Sequence, residues 1–177
     1  MDSEEVIVFG AGCFWCTEAV FLMIKGVKSV EPGYAGPIYK SDKGPSYEEV
    51  STGTTPYVES AKVTYDPDHI SFPELLQVFF QSHDYTQKNG QGNDIGPQYR
   101  TVIFTTTERQ KQMAEHYVMM LKTGKDVATT VEPLDHFYKA EDYHQKYYEN
   151  HKDAGYCQLV IAPKVEKVGQ QLKHLLK

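Results

Sequence analysis

The sequence predicts an α+β fold, a mixed β-sheet with flanking helices on one face, and three observations predict it. Short β-branched segments recur that read as strands. Segments with apolar residues at helical spacing lie among them. The two kinds do not alternate strictly, as a doubly wound parallel sheet requires. The chain has 177 residues, 40% of them hydrophobic and 24% charged, which fits one globular domain over residues 1–177 with a core of its own.

The elements follow in order. Glu4 to Phe9 is a β-branched strand, broken by Gly10-Ala11-Gly12. A buried helix covers Thr17 to Ile24, begins near Cys13 and stops at Gly26. Residues 31–56 are rich in Gly, Pro, Ser, Thr and Tyr and read mostly as a long loop, with a short pairing segment around Val50. Val58 to Tyr65 alternates as a strand does. Ser71-Phe72-Pro73-Glu74 is a capping box that opens a helix through Gln81. A second loop, 82–98, leads to a strand over Tyr99 to Thr105 and a helix over Thr107 to Lys122, stopped by Gly124. Val127 to Val131 reads as a strand and Ala140 to Glu149 as a short polar helix. Gly155 to Ile161 reads as loop or edge strand. Val165, Val168, Leu172 and Leu175 then mark a closing helix.

Composition excludes several functions. Eighteen Lys and Arg stand against 24 Asp and Glu, for a net charge of −6. A nucleic-acid binder needs clustered cations to displace phosphate counterions, so no nucleic acid is expected as a partner. The only arginines are Arg100 and Arg109, too few for multi-arginine phosphate recognition. No stretch is long and apolar enough for a membrane span, and the acidic start, Met1 to Val8, does not read as a signal peptide. A cytoplasmic, reducing location follows, where three cysteines are inert, metal-binding or catalytic rather than a disulfide framework.

Gly12-Cys13-Phe14-Trp15-Cys16 is the strongest local signal. A cysteine at a helix start meets unpaired backbone N–H groups and the positive end of the helix dipole, which favour the reactive thiolate. Cys13 is therefore a candidate nucleophile, and Cys16 lies on the same helix face within disulfide reach. Three readings stay open on these residues: buried structural cysteine, a zinc site completed by Cys157 with His136, His144 or His151, and redox or nucleophilic chemistry. A bare C-x-x-C also fits a thioredoxin-like disulfide oxidoreductase or a thiol redox sensor. His144, in AEDYHQKYY, reads as a structural residue rather than a general base.

The wider pattern is more specific. GAGCFWCTEAVF, GVKSVEPGYAG, YEEVSTG, VTYDP, QGNDIGPQYRTVIF and GYC occur in this order over nearly the whole chain. Together they resemble the A-type peptide methionine sulfoxide reductases. The resemblance implies an oxidoreductase that reduces the S epimer of methionine sulfoxide, free or in proteins, without metal or organic cofactor. It makes Cys13 the nucleophile that attacks the sulfoxide sulfur, and Phe14 and Trp15 an apolar wall for the S-methyl group. Glu59 becomes the acid at the sulfoxide oxygen, Tyr47 and Tyr99 donors to that oxygen, and Asp94 an acid that orients its neighbours.

The resemblance also gives the catalytic cycle and the shape. Attack leaves a Cys13 sulfenic acid, which a second thiol converts to a disulfide. Cys157 is the expected first resolver, on a mobile, extended C-terminal segment, with thioredoxin as the external reductant. The family usually has Gly where Cys16 stands, so Cys16 is a second resolver, a relay or a spectator. Tyr57 replaces a customary His, although Glu59 keeps its register. The implied fold is a ferredoxin-like two-layer roll with long loops, acting as a monomer.

Overall fold

The computed structural model of the protein describes residues 3–177, so the first two residues of the acidic start lie outside it. The expected α+β architecture is observed, a mixed sheet with flanking helices. Six strands form the sheet: β1 (Glu5–Ala11), β2 (Val27–Gly36), β3 (Val58–Tyr65), β6 (Thr101–Thr105), β7 (Thr130–Pro133) and β8 (His136–Lys139). Their order is β7-β6-β1-β3-β2-β8, with β4 (Gly90–Gln91) and β5 (Asp94–Ile95) paired separately. All pairings are antiparallel except β6 with β7. The helices are α1 (Phe14–Leu22), α2 (Tyr47–Ser51), α3 (Phe72–Ser82), α4 (Glu108–Lys122), α5 (Tyr147–Asn150) and α6 (Ala162–Gln171).

β1 is central and covered on both faces, so its apolar residues run without alternation. Ile7, Phe9 and Ala11 face the helices, and Val8 faces the other way. Phe9 lies between Phe21 of α1 and Phe79 of α3, with ring centroids 5.0 and 4.8 Å away. The expected capping box of α3 is present, Ser71 and Glu74 each accepting the other's backbone N–H. Thr107 caps α4 through the N–H of Gln110.

The sheet curls, and chain connectivity requires it. β7 and β8 are its opposite edges, yet only Leu134 and Asp135 separate them. Flat, six strands would put the edges about 24 Å apart. The three Cα steps from Pro133 to His136 reach at most about 11 Å. The concave face is filled by Val8, Ala35, Val58, Val102 and Phe104, with Leu134 and Phe137 packed on them.

Several local expectations are corrected. Residues 27–36 form β2, paired with both β3 and β8, although Pro32 and Gly33 read as loop. Gly33 is required there, since a Cβ would sit 2.4 Å from the Tyr138 carbonyl oxygen and the Phe137 ring. Val50 lies in helix α2, capped by Ser46 and Glu49, and not in a pairing segment. The strand expected at Val127 is displaced to Thr130–Pro133 by its pairing with β6. The polar helix expected at 140–149 is split by Lys146, whose φ is +52°. The C-terminal segment is neither extended nor strand: a π-helical turn, Cys157–Ile161, runs into α6, because Cys157, Ile161 and Val168 are buried against the body of the protein. Pro163 follows directly on the π-helical turn, where the backbone already departs from regular α-helix hydrogen bonding. Among the described residues no helix is long and apolar enough to cross a membrane.

Truncating the ring shared by sheet and helices should be costly. Phe79→Ala is expected to lower unfolding stability by about 3–5 kcal/mol, read from the urea midpoint.

Candidate active site

Cys13 is the N-cap residue of α1, at the end of β1, where sheet and helix meet. The turn before it needs glycine: Gly12 has φ +85°, and a Cβ there would lie 2.6 Å from the Cβ of Gln91. The Cys13 carbonyl accepts the N–H groups of Cys16 and Thr17, at 3.2 and 3.4 Å, which starts the helix. Cys13 is half-buried, while Cys16 and Cys157 are buried.

Glu59 comes from β3, directly across from Tyr34 of β2. It is 2% exposed, and its Oε2 accepts the Phe14 N–H at 3.2 Å. Burial pushes its carboxyl up to about 8, against the lowering effect of that N–H. The acid is therefore largely neutral at pH 7. Tyr47, at the start of α2, and Tyr99, in the turn before β6, both feel the charges of Glu59, Asp94 and Cys13. With burial, those charges push both phenols up, so both stay protonated hydrogen-bond donors. Asp94 of β5 accepts the Tyr156 hydroxyl at 3.3 Å. A cleft of about 520 Å³ opens along Cys13, Cys16, Asp94, Tyr156 and Lys164.

The thiols do not ionise as the helix start alone suggests. Cys13 and Cys16 share a hydrogen bond. That bond, then burial, then the Glu59 charge hold the Cys13 thiol well above the usual range. The same bond brings Cys16 down to about 7, with Lys164 helping. At the cap itself, Cys13 makes no side-chain hydrogen bond, and the Phe14 N–H is taken by Glu59. Cys16 also packs with Cys157 and Ile161 in one apolar cluster, with Cys13 at its margin.

Phe14 is 1% exposed and packs against Tyr34, Tyr47 and His144. Trp15 stacks on Tyr147 at 3.7 Å and 6°, and its Nε1–H donates to His144 Nδ1 at 3.0 Å. His144 therefore carries its proton on Nε2, a buried atom with no partner, and burial lowers its pKa. Its role is packing, as expected, yet the packing is against the site's own aromatic residues. Tyr57 is buried in the cluster that holds Phe14 and Tyr34, and its hydroxyl donates to the Pro37 carbonyl at 2.9 Å. Among the described residues no three His, Cys, Asp or Glu side chains gather as a metal-binding group.

Sequence reasoning missed Tyr34, Glu141, Tyr147 and Tyr156. Glu141 accepts the Tyr34 hydroxyl at 2.8 Å and the Tyr47 N–H at 3.2 Å, which fixes the start of α2. The one available signal was the density of tyrosine in AEDYHQKYY and GYC.

Known proteins are similar over the same span. The model of the family described as peptide methionine sulfoxide reductase matches residues 5–175. Peptide methionine sulfoxide reductase MsrA of Sulfolobus acidocaldarius is 50% identical over 165 residues, 92% of each chain. The reduced form of Mxr1 from Saccharomyces cerevisiae superposes with a TM-score of 0.78 at 33% identity, covering 87% of this chain and 89% of Mxr1. Methionine sulfoxide reductase A of Corynebacterium diphtheriae gives 0.75 at 34% identity, covering 86% and 77%. The family model spans nearly the whole chain and the relatives share a third to a half of its residues, so the chain belongs to the peptide methionine sulfoxide reductase family.

Proposed function

We propose that the protein reduces the S epimer of methionine sulfoxide, free or in proteins, with Cys13 as nucleophile and Glu59 as acid. The observation that carries the reading is the buried Glu59 carboxyl held on the backbone N–H next to Cys13. A sulfoxide oxygen leaves only once protonated, and a carboxyl with its pKa near 8 still holds a proton at pH 7. Cys13 attacks the sulfoxide sulfur, the S–O bond breaks and the oxygen passes to Cys13. The products are the thioether and a Cys13 sulfenic acid, the thiol having supplied two electrons. Tyr47 and Tyr99 donate to the oxygen, and Asp94 orients Tyr156. Phe14 and Trp15 shelter the S-methyl group.

In the proposed order Cys16 resolves the sulfenic acid, releasing water and forming a Cys13–Cys16 disulfide. Cys157 then exchanges with it. Supporting this order, Cys16 lies one helical turn from Cys13 and sits in the apolar cluster of Cys157. A dithiol reductant of thioredoxin type, with a potential of about −270 mV, restores the thiols. The reading places the enzyme as a monomer of one domain, residues 1–177, in a reducing, cytoplasmic compartment. Its central strands, β1, β2, β3 and β6 with α1 and α3 as crossovers, run in the order β6-β1-β3-β2, which we read as ferredoxin-like.

Three results are expected. Cys13→Ser abolishes turnover of both epimers with dithiothreitol as reductant, and wild type consumes only the S epimer. Glu59→Gln lowers kcat by about 100-fold or more, and the wild-type rate falls as pH rises through about 8, where the acid loses its proton. The same group destabilises the fold in that direction: between its ordinary 4.5 and about 8 only the native state keeps the proton, so stability declines as pH rises, and Glu59→Gln flattens the decline in urea titrations. In Cys157→Ser, one stoichiometric turnover leaves a Cys13–Cys16 disulfide, detected by peptide mapping. A sulfenic acid persisting on Cys13 there refutes the order.

A further inference from the structure

We propose that Glu18 is a positioning residue, a buried latch that holds segment 144–147 over Trp15 and so fixes the aromatic wall beside Cys13. The inference rests on the proposed reading of that wall as the substrate's binding surface. Glu18 is on α1 one turn after Trp15, so the two side chains share a helix face. Although 2% exposed, it forms no salt bridge among the described residues; its Oε1 accepts the backbone N–H of Lys146 at 2.6 Å, and the Tyr147 N–H and the Lys146 charge also favour the carboxylate.

Those N–H groups open α5, whose N-cap residue, Lys146, is left-handed and supplies no capping side chain. Glu18 therefore caps α5 from a distant part of the chain. The cap has a direct geometric consequence. Tyr147, held by its backbone, lies flat on Trp15, and His144 takes the Trp15 N–H. His144 in turn packs on Phe14 and Tyr47. Two helix positions, 15 and 18, thus hold the same short segment from both ends, one by stacking and one by hydrogen bonding. Burial raises the Glu18 carboxyl to about 7, and its second oxygen has no partner, so the latch costs stability that a purely structural residue would not need to spend.

Trp15 is the only tryptophan in the chain, so tryptophan emission reads this stack alone. Glu18→Ala is expected to shift Trp15 emission and to raise KM for methionine sulfoxide about tenfold with kcat within about twofold. Glu18→Gln keeps the acceptor oxygen and should restore both to within about twofold of wild type. In a Tyr147→Ala background, Glu18→Ala should change KM no further. Unchanged emission and KM in Glu18→Ala overturn the proposal, as do additive effects with Tyr147→Ala. If Glu18→Ala does not fold, Glu18→Gln compared with Glu18→Leu decides by the same two readouts. The emission arm needs no substrate. Absence of wild-type turnover would thus sink the functional reading, and an unmoved emission would sink the latch.

Discussion

The hydrogen bond from the Phe14 N–H to Glu59 holds the site together. It joins the sheet, through β3, to the first turn of α1, and it does so beneath Cys13. Both partners are buried, so the bond cannot be exchanged for one to water. It fixes the acid relative to the thiol and consumes the helix N–H that would otherwise favour a Cys13 thiolate. A neutral acid and a protonated thiol are thereby placed side by side, with the proton and the nucleophile held in reserve until a sulfoxide arrives. A charged pair in the same burial would carry a large desolvation cost.

Around that bond the site divides by chemistry. Glu59, Tyr34 and Tyr47 lie toward the sheet, Cys16 and Cys157 toward α6, and the aromatic residues Phe14, Trp15 and His144 between the sheet and segment 144–147. Phe14, Trp15 and Cys16 share α1, and the other residues come from separate elements. The loops that carry Tyr47, Asp94 and Tyr99 are anchored by short helices, by the β4–β5 pair and by a carboxylate, Glu141, that ties Tyr34 and Tyr47 to the segment after β8.

Much of this was legible in the residues. β1, β3, β6, α3 and α4 announce themselves by β-branched runs, a capping box and helical periodicity, and GCFWC marks the reactive helix start. β2 was hidden because Pro32 and Gly33 are poor strand formers; what makes the strand is the close approach of β8, which only glycine permits. The helix at Cys157 was hidden because Gln158-Leu159-Val160-Ile161 carries strand propensity, which packing against α1 overrides. The ionisation of the cysteines was illegible for a related reason. Sequence shows that a thiol sits at a helix start; it does not show that a carboxyl 46 residues away has already taken the nearest N–H.

The two-residue link between the sheet's opposite edges also ties the curl of the sheet to the site. It joins β7, which lies beside β6, to β8, which lies beside β2 far back in the chain. Segment 140–147, which supplies His144 and Tyr147, continues directly from β8. The strand that closes the sheet thus leads straight into the segment that completes the catalytic wall. A partly folded chain could hold its reactive cysteine on a finished core and still lack the surface that recognises a substrate.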